Sequence, residues 1–339
     1  MSAERISVVV PMFNEARGLP AFFAALVPVL EQCTTDYEII AVDDGSADQT
    51  VATVKAANAV NPRIKLVALS RNFGKEIAVA AGLRHAGGDA TIVLDADLQH
   101  PPELIPVFIA KWREGYDVVY GRRRDRSTDS PLRRFLALRY YRMFEILSGT
   151  PLDPNAGDFR LLSRRAVDAM NKLGERARFN KGLFAWIGFR VTGIPFVVPE
   201  RFDQTPSRWR LRRLWHFALD GIASFTTAPL RIWSYIGVAV SLVALVFGCA
   251  IIIKTLLFGD PVAGYPTLMV SILFLGGIQL ISLGVIGEYL GRVYEEVKAR
   301  PLYLLAETVG MAPVEAGTRA STDVVRRPAE QPPPSGATT

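Results

Sequence analysis

The first third of the chain alternates short apolar runs with polar loops and stretches of helical periodicity. Ile6 to Val10 is a β-branched run closed by Pro11, and Ala16 to Leu30 carries apolar residues at helical spacing, so this unit reads strand, loop, helix. Tyr37 to Val42 predicts a second strand with Asp43 and Asp44 at its carboxyl end, then Gly45-Ser46 and a helix capped near Ser46 or Asp48. Ile64 to Leu69 gives a third strand, leading through Ser70-Arg71-Asn72-Phe73-Gly74-Lys75 to a helix from about Glu76 to His85. A fourth, Thr91 to Leu94, runs into the acidic turn Asp95-Ala96-Asp97-Leu98-Gln99-His100, and Pro101-Pro102 end whatever follows it. Glu103 to Arg113 then reads as a helix and Asp117 to Tyr120 as a fifth strand. Successive strand–loop–helix units predict an α/β domain with a mainly parallel, doubly wound sheet, in which ligands bind at the carboxyl ends of the strands.

The pattern then changes. Leu132 to Leu147 interleaves Arg133, Arg134, Arg139 and Arg142 with Phe135, Leu136, Leu138 and other apolar residues. Such a basic amphipathic helix either lies in a lipid headgroup layer or covers the sheet. Ile232 to Ile253 is free of charge and, at about 1.5 Å per residue, long enough to cross a bilayer's hydrocarbon core. A second run, about Thr267 to Ile286, stays uncharged until Glu288. Arg208, Arg210, Arg212, Arg213 and Arg231 precede the first run and Arg292, Lys298 and Arg300 follow the second, which by the positive-inside rule places both ends in the cytosol. Beyond Ala312 the chain is rich in Pro, Ala and Thr, has little to bury and reads as disordered.

Composition fits this division. Of 339 residues 50% are hydrophobic, high for a wholly soluble protein, and the net charge is +6. No nucleic-acid-binding motif accompanies the charge, and the basic residues gather before the apolar region, which favours a membrane surface over nucleic acid. Cys33 and Cys249 lie far apart and imply neither a disulfide framework nor a thiolate metal site. Met1 to Arg5 leads straight into a strand with no signal-peptide core, so the catalytic part is expected in the cytosol.

The chemistry concentrates in a few loops. Asp95 and Asp97, with the amide oxygen of Gln99, can converge on a hard divalent cation and leave positions open for water and phosphates. Asp43 at a strand end can accept hydrogen bonds from a base or ribose, whereas Asp48 and Asp44 also suit a helix N-terminus. Lys75 either approaches a bound phosphate or is solvated, and Gly121-Arg122-Arg123-Arg124-Asp125-Arg126 offers guanidinium forks to phosphate oxygens.

Together with Val10-Pro11-Met12-Phe13-Asn14-Glu15 and Val42-Asp43-Asp44-Gly45-Ser46, the acidic turn resembles the nucleotide-sugar signature of the family-2 glycosyltransferases of GT-A fold. From about Ile6 to about Arg300 the chain is similar to the branch that loads sugars onto polyprenyl phosphates, which includes dolichol-phosphate mannose synthase and the bactoprenol glucosyltransferases. The resemblance implies a Rossmann-like GT-A catalytic domain over 1–206, with the amphipathic helix at about 131–148 inside it. An interfacial helix at 207–230, two transmembrane helices within 231–291, a cytosolic segment 292–311 and the tail 312–339 would follow. It further implies an inner-membrane, inverting, metal-dependent transferase that moves one sugar, with UDP-glucose favoured, onto undecaprenyl or another polyprenyl phosphate; a homo-oligomer is expected separately, because so small a two-span bundle gains from packing against copies of itself. Residues carried over on matching motifs are Pro11, Asn14, Glu15, Asp43, Lys75, Asp95, Ala96 and Arg201 for the donor, and Asp95, Asp97 and Gln99 for magnesium or manganese. Asp158, in Gly157-Asp158-Phe159-Arg160-Leu161, is the candidate base or acceptor-orienting group; Asp97, Arg123 and Arg126 join it in catalysis, and Arg126, Ser207 and Arg208 hold the acceptor phosphate. Arg122 and Arg124 are read as surface residues. The chain departs from its relatives in having Thr205 for a Gly and Arg208 for a Lys, which leaves mannosyl or modified-arabinosyl transfer open. A processive polysaccharide synthase shares the donor motifs, but its Gln-x-x-Arg-Trp motif has one residue too many here, between Gln204 and Arg208-Trp209.

Overall fold

The computed structural model describes residues 4–124, 152–153, 155–176, 178–197 and 264–311, with scattered positions between 139 and 149 and between 233 and 257. These residues fall into two compact units, one holding the sheet, its helices and residues 301–311, the other holding the long apolar helix.

The first unit opens with β1 (Ile6–Met12), α1 (Leu19–Cys33), β2 (Tyr37–Asp43), α2 (Thr50–Val60), β3 (Ile64–Leu69), α3 (Lys75–His85) and β4 (Ala90–Val93). A short 3-10 turn at Pro102–Leu104 leads into α4 (Ile105–Arg113), then β5 (Val118–Arg123). Next come β6 (Ala156–Ser163), α5 (Arg164–Lys172), α6 (Asn180–Trp186) and β7 (Val191–Phe196). The second unit contributes α7 (Tyr265–Val297), after which the chain rejoins the first unit as β8 (Leu305–Val309).

The strand order is β7-β5-β6-β4-β1-β2-β3-β8. The centre, β4-β1-β2-β3, is parallel, as the repeated units predict, while β6 pairs antiparallel with both β4 and β5 and β8 antiparallel with β3. Val8, Val9 and Val10, like Ile39 and Ile40, are fully buried, so both faces of these strands are covered. Covered faces are why the runs are continuously apolar rather than alternating, and each such side chain contributes about 1.5–3 kcal/mol.

β1 is not closed by Pro11 but continues to Met12 in register with β2. Pairing with β4 stops at Val9 and Val93, so the amide that Pro11 lacks would have met no partner on that side. α1 starts at Leu19, later than the periodicity predicts, with Pro20 in its first turn, where a missing N–H costs nothing. Gly82 of α3 lies against the Val9 side chain, and a Cβ there would collide with it, which explains a glycine inside this buried helix.

α7 spans 33 residues and outruns the apolar segment seen in the sequence. Its Phe274–Val297 portion, with mean hydropathy 1.4, is the one helix among the described residues long and apolar enough to cross a membrane. Of the first expected span, 232–253, thirteen of the 22 positions are among the described residues, and all of these are helical. The amphipathic helix at 131–148 is described only at Arg139 and 142–146; the interfacial helix 207–230 and the tail 312–339 lie outside the described residues.

Candidate active site

The carboxyl ends of β1, β2 and β4 and the start of β6 come out on one side of the sheet, because β6 runs antiparallel to β4 with Val93 opposite Arg160. Asp95, two residues past Val93, and Asp158, two before Arg160, therefore emerge together. The Lys75 ammonium, at the start of α3, sits 2.8 Å from Asp95 and 2.7 Å from Asp158. Burial disfavours that ammonium, yet the two carboxylates outweigh it and hold its pKa above the ordinary lysine value. Burial would likewise raise Asp158, but Lys75, Lys181 and Arg160 hold its carboxyl far below the usual range.

The acidic turn is shaped by its own hydrogen bonds. The Gln99 amide donates to Asp97 Oδ1 at 3.0 Å across Leu98, which adopts the left-handed φ of +58°. That conformation costs a leucine on the order of 1–2 kcal/mol, and Leu98 is held in it by packing against the core. His100 beneath the turn is buried and stacks on Phe159 at 5.3 Å, and burial lowers its pKa. No cluster of three or more His, Cys, Asp or Glu able to hold a metal is found among the described residues. Asp95 and Asp97 are nevertheless hard oxygen donors on one solvent-reached turn, and two carboxylates that leave most positions to water and a diphosphate suit magnesium or manganese.

The neighbouring loops separate residues that sequence motifs group together. Asp43 is buried at the end of β2; one carboxylate oxygen accepts from the Ser46 amide at 3.1 Å, while the other is buried without a hydrogen-bond partner among the described residues. Burial raises its pKa, and an unfilled acceptor at this place suits a ligand N–H. Asp44 is no helix cap: it accepts from the amides of Phe73 and Gly74 at 2.7 and 2.9 Å and ties the β2–α2 loop to the turn that presents Lys75. Asp48 does serve the start of α2, accepting from Thr50 N at 3.0 Å, and also from Ala16 N at 3.2 Å. Asn14, at φ +58°, exchanges bonds with Ser46 Oγ and the Ala47 amide, both at 2.9 Å, and the Glu15 amide donates to Thr50 Oγ1. Asn14 thus fixes the loops at the carboxyl end of the sheet's central strands. Pro11 is half-buried on β1, and Ala96 is buried and packs in the core cluster.

Arg123 is exposed at the end of β5, and its amide bonds to Asn155 O at 3.0 Å. Arg122, read as a surface residue, is ion-paired to Asp153 at 3.1 Å. Arg126, Arg201, Ser207 and Arg208 lie outside the described residues.

Residues that sequence reasoning missed surround Asp158. Arg160 is buried, donates to Gly157 O at 2.7 Å and lies over the Phe184 ring at 3.9 Å; burial lowers its pKa to about 10. Glu76 accepts from the Asn180 amide at 2.9 Å, and the Asn180 side chain returns a bond to Glu76 O at 3.1 Å, joining α3 to α6. Burial, and secondarily Asp158, pushes Glu76 up to about 7. A carboxyl raised in the folded state favours the protonated form, so this group's contribution to stability is full at acid pH and declines as pH rises from about 4.5 through about 7. Glu76→Gln, which keeps an acceptor for Asn180, is expected to gain stability relative to the wild type between pH 5 and 8. The difference should be on the order of 1–2 kcal/mol, read from thermal unfolding across that range.

The chain is similar in sequence to known proteins. The family model described as glycosyl transferase family 2 matches residues 7–170, and the GtrB C-terminal hairpin matches residues 228–293. An uncharacterized glycosyltransferase from Synechocystis sp. is 51% identical over 90% of this chain and 96% of its own. The SfII prophage-derived bactoprenol glucosyl transferase of Shigella flexneri is 45% identical over 90% of this chain and 98% of its own. A putative glycosyltransferase of Bacillus subtilis is 43% identical over 89% of this chain and 91% of its own. The solved glucosyl-3-phosphoglycerate synthase of Mycobacterium tuberculosis aligns over 66% of this chain and 79% of its own at 22% identity, with a TM-score of 0.45, a likeness too distant to bear on this site. With half the sequence or nearly so shared over nine-tenths of its length, the chain belongs to glycosyltransferase family 2, in the branch that includes the bactoprenol glucosyl transferases and carries the GtrB C-terminal hairpin.

Proposed function

We propose that this chain transfers glucose from UDP-glucose to a polyprenyl phosphate such as undecaprenyl phosphate, with inversion at the anomeric carbon, at the cytosolic face of a membrane. The observation that carries this reading is the convergence of Asp43, Asp95, Asp97, Lys75 and Asp158 at one end of the sheet. It occurs in a chain whose relatives over 90% of its length include bactoprenol glucosyl transferases.

Asp43 offers its unfilled oxygen to an N–H of the uracil, and the loops fixed by Asn14, Glu15 and Asp44 shape the nucleotide's bed. Asp95, Asp97 and Gln99 would hold a magnesium or manganese ion, whose charge offsets that building on the departing diphosphate. Lys75 faces the same phosphates. Arg123, with Arg126, Arg201, Ser207 and Arg208 on matching motifs, clamps phosphate oxygens and brings two anionic reactants together. A phosphate oxygen of the lipid attacks the anomeric carbon as its bond to the UDP oxygen breaks. No strong base is needed, since a phosphate monoester with a second pKa of about 6 is largely dianionic at neutral pH. Asp158, deeply ionised and ion-paired, is accordingly a positioning group rather than the proton acceptor.

Chain connectivity supports two crossings. The first seven strands precede α7 and β8 follows it, yet β8 pairs with β3 in one sheet. A single crossing between them would put β8 on the other side of the membrane from its partner. If Phe274–Val297 spans, a second span must precede it, and Ile232 to Ile253 is the segment long and apolar enough. The arginines flanking the pair put the sheet and both ends in the cytosol. Apolar side chains along α7, among them Leu268, Ile272 and Leu280, are exposed and suit lipid or neighbouring copies of the chain in a homo-oligomer.

The deciding experiment is turnover by purified protein in detergent with undecaprenyl phosphate and a panel of UDP- and GDP-sugars, following nucleoside diphosphate and glycolipid mass together. Expected is a glycolipid one hexose heavier, formed from UDP-glucose and lost with chelator. UDP release that does not depend on the lipid would overturn the acceptor, and a ladder of heavier products would overturn single-sugar transfer.

A further inference from the structure

Lys75 joins the part of the site read as cation-binding to the part read as acceptor-facing. Its ammonium lies 2.8 Å from Asp95 on the turn after β4 and 2.7 Å from Asp158 at the start of β6. The lysine is delivered from a fixed turn. Gly74 before it adopts φ +100°, a conformation suited to glycine, and the amides of Phe73 and Gly74 are both held by the buried Asp44. The ammonium therefore stands where a cation on Asp95 would meet its carboxylate. Two cations about 4 Å apart repel strongly at a partly buried site, so they do not share that carboxylate at contact distance.

We infer that Lys75 is a displaceable counter-ion: it neutralises Asp95 until a divalent cation arrives and is then held by Asp158 alone. This rests on the reading of Asp95 as a cation ligand. Asp158 consequently acts on the cation site through the lysine, by drawing the ammonium away from Asp95. Cation loading and the charge presented to the acceptor are then linked through one side chain, and by reciprocity each alters the other.

The test is a thermodynamic cycle on manganese affinity, measured by paramagnetic resonance of free Mn2+ with the full-length protein in detergent and no donor. Lys75→Met is expected to bind manganese about threefold to fivefold more tightly, the competitor being gone. Asp158→Asn is expected to weaken binding by a similar factor, because the ammonium is left to Asp95. In the Lys75→Met background, Asp158→Asn should change affinity less than about twofold. A direct field from Asp158 would act alike in both backgrounds, so equal effects, or a Lys75→Met protein that binds manganese no more tightly, overturn the counter-ion role. Asp95→Asn separates the two readings. If it leaves manganese affinity unchanged, Asp95 is not the ligand and the premise falls; if it abolishes binding while the cycle stays additive, the lysine's role alone falls. Lys75→Gln repeats the cycle should Lys75→Met not fold.

Discussion

Asp97→Ala is expected to lower glycolipid formation by about a thousandfold or more, the scale on which preorganised charge at a leaving group acts. The side chain has two duties. One carboxylate oxygen accepts the Gln99 amide and so closes the turn through the left-handed Leu98; in the proposed mechanism the charge serves the cation. Asp97→Asn separates them, since it retains an oxygen for the Gln99 amide but loses the charge. It should fall nearly as far as the alanine variant while the unfolding midpoint stays near that of the wild type. The check is the initial rate as a function of manganese concentration for all three proteins. An alanine variant with full activity that still requires the metal would remove Asp97 from the cation site.

The turn around Asp97 is also the most legible part of the sequence, and the reason is physical. Strands buried on both faces leave continuous apolar runs, and the polar residues that follow them must lie at the strand ends where a parallel sheet binds ligands. β1 to β5 were legible on that basis. β6 was not, because Asp158 and Arg160 interrupt its apolar pattern, and only the folded sheet shows that Arg160 is buried over Phe184. β7 contains Gly193 and Pro195 and is largely uncovered, so it lacks the burial signal altogether. β8 is a five-residue strand whose partner β3 lies far back in the chain, with Lys55 paired to Glu307 across 252 positions; no local pattern announces such a return. The site divides in the same way. Lys75, Asp95 and Asp158 stand together, and the bonds of Asp44 and Asn14 fasten loops to one another, a contact between distant loops that no local pattern announces. Glu76 and Asn180 had no signal, since their bond joins helices 104 residues apart.

The fastening by Asp44 makes Gly45 the most sensitive small residue near the site. Gly45 adopts φ +69°, which costs an alanine on the order of 1 kcal/mol, but space is the larger problem. A Cβ there would strike the Arg71 backbone and lie 2.6 Å from Asn72 N, and the backbone it meets is the turn whose next two amides Asp44 holds. Relief requires the β2–α2 loop to part from the β3–α3 turn, releasing those bonds and with them the aim of Lys75 toward Asp95 and Asp158. Gly45→Ala is therefore expected to destabilise the catalytic unit by roughly 3 kcal/mol and to raise the KM for UDP-glucose by about tenfold. Gly45→Asn tells the two causes apart, because asparagine tolerates the left-handed conformation yet carries the same Cβ. If collision dominates, the asparagine variant is as impaired as the alanine one in thermal unfolding and in donor KM; recovery of either by asparagine would show that conformational strain, and not the contact with residues 71 and 72, sets the requirement for glycine.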